Sequence, residues 1–194
     1  ISDLPLDIGS YKLSPDGKHV AFSLEVFTDC ADIACNKQRL DAKAANNASG
    51  MLFDKLFIRH WDTYADGRRN QLFLAPLQNG KLGAAVRLAN VNGDIPSKPF
   101  GDAGEYAWAP DGKSLASSSL DKSIRIWSIP EGKQLQELKG HTDIVDTIAF
   151  NHDGSVLASG SGQADKSVRL WNPKDGKETK NLGAHGGSVY SVAF

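Results

Sequence analysis

The sequence predicts an all-β architecture of propeller blades: three four-stranded blades plus one extra strand, with a short, partly helical insertion in the first blade. Three observations predict it. Trp127 and Trp171 lie 44 positions apart, as do Gly140-His141 and Ala184-His185. The stretches between these markers repeat: Leu115–Ser119 aligns with Leu157–Ser161, and Asp121–Trp127 with Asp165–Trp171, with a two-residue insertion around Gln163-Ala164. Finally, 19 Gly and 8 Pro fall between short apolar runs, which suits many strands and tight turns and argues against a helical bundle. A repeat of about forty residues holding four short strands is the pattern of propeller blades.

The first unit, about 8–90, carries a turn at Leu13-Ser14-Pro15-Asp16-Gly17, which Trp108-Ala109-Pro110-Asp111-Gly112 echoes 95 positions later. Val20–Ser23 reads as its second strand, Gln71–Leu77 as its third and Ala85–Ala89 as its fourth. The spacing of the two turns is about twice the blade repeat, so an insertion at 28–69 is expected. Within it Ala31–Ala48 has helix-forming composition, and Leu56–Trp61 reads as an added strand. The second unit, 104–140, predicts strands at Tyr106–Ala109, Ser114–Ser119, Ile124–Ile129 and Gln134–Lys139. The third, 144–183, predicts them at Ile144–Phe150, Val156–Ser161, Ser167–Asn172 and Glu178–Leu182, with an Asn151–Gly154 turn whose Gly supplies positive φ. Val189–Phe194 follows as the first strand of a fourth unit. The chain thus divides into 1–103 and 104–194. Leu4, Leu6 and Ile8 alternate, and they are expected to pair with the unfinished edge, most simply from a second chain.

Charge narrows the partners. Lys plus Arg is 22 against 23 for Asp plus Glu, and the balance is 12 to 13 over residues 1–110 and 10 to 10 over 111–194. Neither half has the cationic excess that binding a phosphate backbone needs, so nucleic acid is not an expected partner. No apolar run approaches the roughly 18 residues of a membrane span, and no membrane partner is expected. No signal-peptide pattern opens the chain, and its start at Ile1 without Met reads as processing or trimming.

Residues 105–194 resemble the WD-repeat family. The third unit holds the family's structural hydrogen-bond set, His141, Ser159, Asp165 and Trp171. The resemblance implies that Asp165 accepts from His141, that His141 reaches the Ser159 hydroxyl, and that this hydroxyl orients the Trp171 N–H across the blade. The second unit keeps Ser117, Asp121 and Trp127, but Phe100–Gly104 stands where Gly-His belongs, so its network is expected to be incomplete. The usual Trp-Asp ending is Trp127-Ser128 and Trp171-Asn172 here.

Residues 1–113 resemble instead the amino-terminal propeller part of secreted bacterial prolyl-oligopeptidase-family serine peptidases. The likeness rests on Ser14–Phe22, the Cys30/Cys35 insertion, Lys55–Asp62 and Tyr106–Lys113. It implies a substrate-filtering propeller beside a separate α/β-hydrolase domain. No G-x-S-x-G nucleophile elbow occurs in the 194 residues, so no catalytic residue and no enzyme activity is expected of this chain. The two resemblances meet near Asp111–Leu115, inside one blade, and the chain reads as a hybrid; a natural recombinant, an assembly artefact and an engineered chimera would read alike. The peptidase resemblance favours a periplasmic or secreted setting, the WD-repeat part a cytoplasmic one.

Candidate sites are then weighed against plainer roles. Cys30 and Cys35 read as a redox pair, half a metal site, a structural disulfide or two separate thiols; the secreted-enzyme resemblance favours the disulfide. Zinc would need two more ligands, and His19 and His60 lack the spacing, so no metal or cofactor is expected. Gly112-Lys113-Ser114 ends like a phosphate loop, yet Ala107 replaces the required Gly and a strand turn replaces the helix. Gly160-Ser161-Gly162 lacks the last Gly of a dinucleotide fingerprint. Asn47-Ala48-Ser49 has the form of a glycosylation sequon. Arg59, Trp61, Tyr64, Arg68 and Arg69 form a candidate peptide-contacting surface, against the plainer reading of a solvated insertion face. The expectation is a non-catalytic scaffold with a protein or peptide partner, self-associating through open blade edges; the rival is the gating piece of a peptidase.

Overall fold

The computed structural model describes residues 3–46, 59–60, 63–64, 66–88, 93–98 and 101–194, with 59–60 and 63–64 described in backbone only. In the first sheet, β1 (Ile8–Leu13) pairs antiparallel with β2 (His19–Phe27). The chain then leaves through α1 (Ile33–Ala44) and the two-residue ladder β3 (Arg59–His60) and β4 (Thr63–Tyr64). β5 (Arg68–Gln78) returns along the whole of β2, from Phe27 opposite Arg68 to His19 opposite Pro76. The expected fourth strand is two short pieces, β6 (Lys81–Leu82) and β7 (Val86–Arg87), both paired with β5. The break falls at Pro76, which has no N–H to donate to the ladder; Gly83 lies close against its ring, where a Cβ would stand 2.7 Å away, and its N–H donates to the Pro76 carbonyl at 2.8 Å.

The second sheet is β8 (Tyr106–Trp108), β9 (Ser114–Ser118), β10 (Ile124–Ser128) and β11 (Gln134–Leu138), in spatial order. The third is β12 (Val145–Phe150), β13 (Leu157–Ser161), β14 (Ser167–Trp171) and β15 (Glu178–Ala184), again in order. These are propeller blades, and every strand of both lies within two residues of its expected bounds. The inner turns share one chemistry. Gly17, Gly112 and Gly154 take φ of 70°, 69° and 73°. Asp16, Asp111 and Asp153 each accept from the N–H two residues on, at 3.0, 2.9 and 2.8 Å.

The sheets stack face to face, so most strands are covered on both sides. Ala21, Leu72, Leu74, Leu88, Ile95, Tyr106, Leu115 and Trp127 fill the space between the first two sheets. Ala116, Ile124, Ile126, Leu138, Val145, Ile148, Leu157 and Trp171 fill the second interface. The alternate residues of β2, Val20, Phe22, Leu24 and Val26, form a third core on the outward face of the first sheet.

Two expectations are corrected here. Val189–Phe194 forms no strand; residues 185–194 have no strand assignment at all. A strand needs a ladder partner, and this tail lies instead across the third sheet. Its Val189 N–H donates to the Ser161 carbonyl at 3.0 Å and its Val192 N–H to Thr147 Oγ1 at 3.4 Å. Nor are Leu4, Leu6 and Ile8 free to pair with that edge. Ile8 opens β1 opposite Leu24, and all three side chains pack on the outward core of the first sheet.

The insertion contains the expected helix, shorter at both ends. Asp32 caps α1 by accepting from the Cys35 N–H at 2.7 Å. Leu56–Ile58 and Trp61 of the expected added strand lie outside the described residues, as does the Asn47–Ser49 sequon.

Candidate functional site

The most concentrated polar chemistry lies inside the third blade. β13 presents Ser159, β14 ends in Trp171, the turn before β14 supplies Asp165, and the loop before β12 supplies His141. His141 Nδ1 is 2.9 Å from Asp165 Oδ2, and its Nε2 is 2.7 Å from Ser159 Oγ. Trp171 Nε1–H donates to the same Oγ at 2.8 Å. One proton arrangement satisfies all three contacts: Nδ1–H donates to Asp165, Nε2 accepts from the Ser159 hydroxyl, and that oxygen accepts from the indole. Asp165 also accepts from the Thr142 N–H at 2.7 Å, the Ser167 N–H at 3.2 Å and the Ser167 hydroxyl.

Burial opposes charge on Asp165, but the bonds from Ser167, Thr142 and His141 outweigh it and hold the carboxyl well below the usual carboxylate range. Burial lowers the His141 pKa despite Asp165, so the imidazole is neutral at pH 7. These contacts reproduce the hydrogen-bond pattern of a Ser-His-Asp hydrolase. Access does not follow. Ser159 is 0% exposed, and the His141 and Asp165 side chains are 1% and 4% exposed. A nucleophile needs room for a carbonyl carbon and for oxyanion donors beside it, and here the indole of Trp171 occupies the hydroxyl's remaining side. The arrangement can hold a blade together; it cannot receive a substrate.

The second blade brings Trp127 to Ser117 (Nε1–H to Oγ, 3.0 Å) but leaves Asp121 apart from both. Asp121 accepts instead from Ser123 and from Arg125 Nη2, the latter at 2.6 Å. Where the repeat would supply His, this blade is joined to the first by the segment ending in the 3-10 turn 103–105. Glu105, 3% exposed, accepts there from the Ser97 N–H at 2.8 Å and contacts Ser97 Oγ at 2.5 Å. Sequence reasoning missed this pair. Its only signal is an acidic residue ahead of Tyr106 in a segment with no repeat partner.

In the first blade Cys30 and Cys35 form a disulfide with Cα atoms 5.7 Å apart, at the foot of α1. Asn36 fastens the helix to β2 by accepting from the Phe27 N–H at 2.7 Å. Arg39 lies 4.7 Å from the Phe27 ring centroid and makes two bonds to Asp29. The basic surface is neutralised where it is described: Arg68 pairs with Glu25 and Asp66, and Arg69 with Asp94. Arg59 and Tyr64 are described in backbone only, and Trp61 lies outside the described residues.

Among the described residues, grooves open on the surface. One of about 340 Å³ lies between residues 5–9, Glu25, Leu40, Arg68 and Lys98. Another, about 430 Å³, separates the second and third blades and is lined by Leu135, Phe150, Pro173, Asp111, Asp153 and Lys174. Among the described residues no group of three or more His, Cys, Asp or Glu could hold a metal ion, and no helix is long and apolar enough to cross a membrane.

The sheets are those of β-propeller blades, and the His141, Ser159, Asp165 and Trp171 set of the third is similar to that of WD repeats. The family model of the WD domain, G-beta repeat, matches residues 106–128 and 132–172, the second and third blades. The chain is also similar to probable dipeptidyl-peptidase 5 of Aspergillus terreus, 36% identical over 89 residues, covering 42% of this chain and 12% of that protein. Dipeptidyl-peptidase 5 of Arthroderma otae is 30% identical over 119 residues, 57% of this chain and 14% of the relative. The corresponding Aspergillus flavus protein is 30% identical over 138 residues, 63% and 18%. The chain therefore spans under a fifth of the length of these curated relatives. Among solved structures, the WD40 repeats of RRP9 superpose with a TM-score of 0.56 at 21% identity, covering 95% of this chain and 41% of that one. U3-55K gives 0.54 at 20%, with the same coverage. The hybrid resemblance, part WD repeat and part peptidase propeller, is supported.

Proposed function

We propose that the chain is a non-catalytic propeller scaffold whose partner is a protein or peptide, and that its outward blade faces take up a second copy of the chain. The observation that carries this reading is the apolar surface at the two ends of the blade stack. Tyr11 and Leu13 stand opposite Phe22 and Val20, on the outward face of the first sheet, and are 67% and 54% exposed. At the other end Leu182, Tyr190 and Phe194 are exposed beside the third sheet. Apolar faces of stacked sheets recruit further sheets. Nucleic acid is no part of the proposal, because the charge is balanced in both halves, nor is a membrane, because no apolar run approaches the length of a span.

Light scattering on the purified chain tests it. The expected mass at micromolar concentration exceeds 20.9 kDa, and paired Tyr11→Ser and Leu13→Ser substitutions lower it. A folded 20.9 kDa monomer overturns the self-association part.

A second reading has its own support in the dipeptidyl-peptidase 5 relatives: the chain as the gating portion of a prolyl-oligopeptidase-family serine peptidase, with catalysis on a separate α/β-hydrolase domain. Tight association of this chain with a separately expressed hydrolase domain of that family favours it, and no association at micromolar concentration counts against it.

A further inference from the structure

We propose that Glu105 is a protonation-controlled latch: in its neutral form it clamps residues 94–98 to the turn 101–105, at the passage from the first blade to the other two, and ionisation loosens that clamp.

Position is the first ground. On one side the segment is fastened to β5. Asp94 accepts from the Asn70 N–H at 2.7 Å and pairs with Arg69; the Ile95 N–H donates to the Asn70 carbonyl at 2.8 Å, and the Asn70 amide reaches the Pro96 carbonyl at 3.1 Å. Ile95, 1% exposed, sits in the core between the first two blades. On the other side Ser97 is held by Glu105, whose own carbonyl accepts from Ser118 Oγ of β9 at 3.1 Å. The turn that carries Glu105 packs on β1, β8 and β12, so it lies against one strand of each blade. The loop closes tightly on it: a Cβ on Gly101 would lie 2.2 Å from Glu105 Oε1.

Charge is the second ground. The charged groups that act on the carboxyl are Asp146 on β12 and Asp102 in its own turn; the strands packed against that turn also carry Lys12 (β1) and Tyr106 (β8). The nearby cations are engaged elsewhere. Lys12 Nζ donates to the Tyr106 carbonyl at 2.7 Å, Lys98 pairs with Glu25, and Arg69 pairs with Asp94. A buried carboxylate beside two other acids and without a cation is costly, and the proton that relieves it comes from water. A neutral carboxyl can keep both contacts, one oxygen accepting from the Ser97 N–H and the other sharing a proton with Ser97 Oγ. Burial, reinforced by Asp146 and Asp102, pushes Glu105 up to about 7, against the bonds from Ser97. The switch therefore operates around neutrality.

The sign follows from proton linkage. The folded chain holds this proton over a range where the unfolded chain has lost it, so the latch is strongest at and below about pH 5 and weakens as pH rises through 7. Two measurements on the 194-residue chain test it. Carbon-13 spectra of labelled Glu carboxyls should show one resonance titrating near 7, absent in Glu105→Gln. Hydrogen exchange at Ile95, corrected for intrinsic rates, should accelerate by on the order of tenfold or more between pH 5 and pH 8 in the wild type, and less than about twofold in Glu105→Gln. Titration of Glu105 in the ordinary range of 4–5 overturns the proposal, as does equal acceleration in both proteins. The carboxyl titration needs only the wild type for its midpoint, so a variant that fails to fold leaves the question decidable.

Discussion

The second and third blades are built on one repeat and locked in two ways. Both put a Trp indole on a Ser hydroxyl at the third-strand to second-strand crossing, at 3.0 Å for Trp127–Ser117 and 2.8 Å for Trp171–Ser159. In the third blade His141 extends this contact to Asp165, so the lock is continuous from the loop before the blade to the turn before β14. In the second blade the chain stops at Ser117, Asp121 turns outward to Arg125, and the preceding segment is held by Glu105 and Ser97 instead. The difference teaches that the Trp–Ser contact belongs to the sheet, whereas the His–Asp extension belongs to the entry loop. A blade that has lost its His must hold that loop by other means.

The largest effect expected from this contrast is at the two aspartates. Asp165→Ala leaves a buried imidazole and the Thr142 and Ser167 donors without their acceptor, and should destabilise by about 3 kcal/mol. Asp121→Ala, whose side chain is half-exposed and whose partner Arg125 keeps Glu137, should cost less than about 1 kcal/mol. Urea unfolding of both variants measures the gap, and equal losses break the comparison.

Next in size is a control in the first blade. Replacing Cys30 and Cys35 by Ser reopens a short loop, with an expected loss of about 2 kcal/mol. The indole N–H protection of Trp127 and Trp171 should not change; a fall in either would mean that the helix, not the local networks, governs the blades.

The smallest effect sharpens the contrast by pH. Burial keeps His141 neutral in the fold, with its pKa below the ordinary value near 6.5. Unfolding lets it take up a proton, so its contribution is present above that value and is lost as pH falls below it. The carboxyl of Asp165 is held low, and its contribution disappears only in stronger acid. Protection of the Trp171 indole N–H should therefore fall between pH 7.5 and 5.5 while that of Trp127, which has no His behind it, stays level. Parallel behaviour of the two indoles would contradict the assignment. Glu105 predicts the reverse slope, so the two locks respond to pH in opposite directions.

Most of the fold was legible because its signals are local and repeated. Strand bounds follow from Asp-Gly turns such as Asp111-Gly112 and Asp153-Gly154, whose positive-φ Gly each turn requires. The roles of His141, Ser159, Asp165 and Trp171 came from a family resemblance, and the structure places their polar atoms within 2.9 Å of one another in sequence along the network. What stayed hidden depends on contacts across the fold. The split between β6 and β7 falls where Pro76 has no N–H for the ladder, and the absence of a strand at 189–194 comes from the lack of a ladder partner. Leu4 and Leu6 alternate like a free strand, yet they are absorbed by the outward core of the first sheet. Glu105 has no repeat partner, and only the fold brings Asp146 to its side.

The central claim is that the Ser-His-Asp set of the third blade is a lock and not a catalytic centre, because its hydroxyl is fully buried and committed to Trp171. Incubating the folded chain with excess fluorophosphonate and measuring its intact mass tests this most directly. The account predicts an unmodified mass after prolonged exposure at neutral pH. A stoichiometric phosphonyl adduct that maps to Ser159 and vanishes in His141→Ala would contradict it.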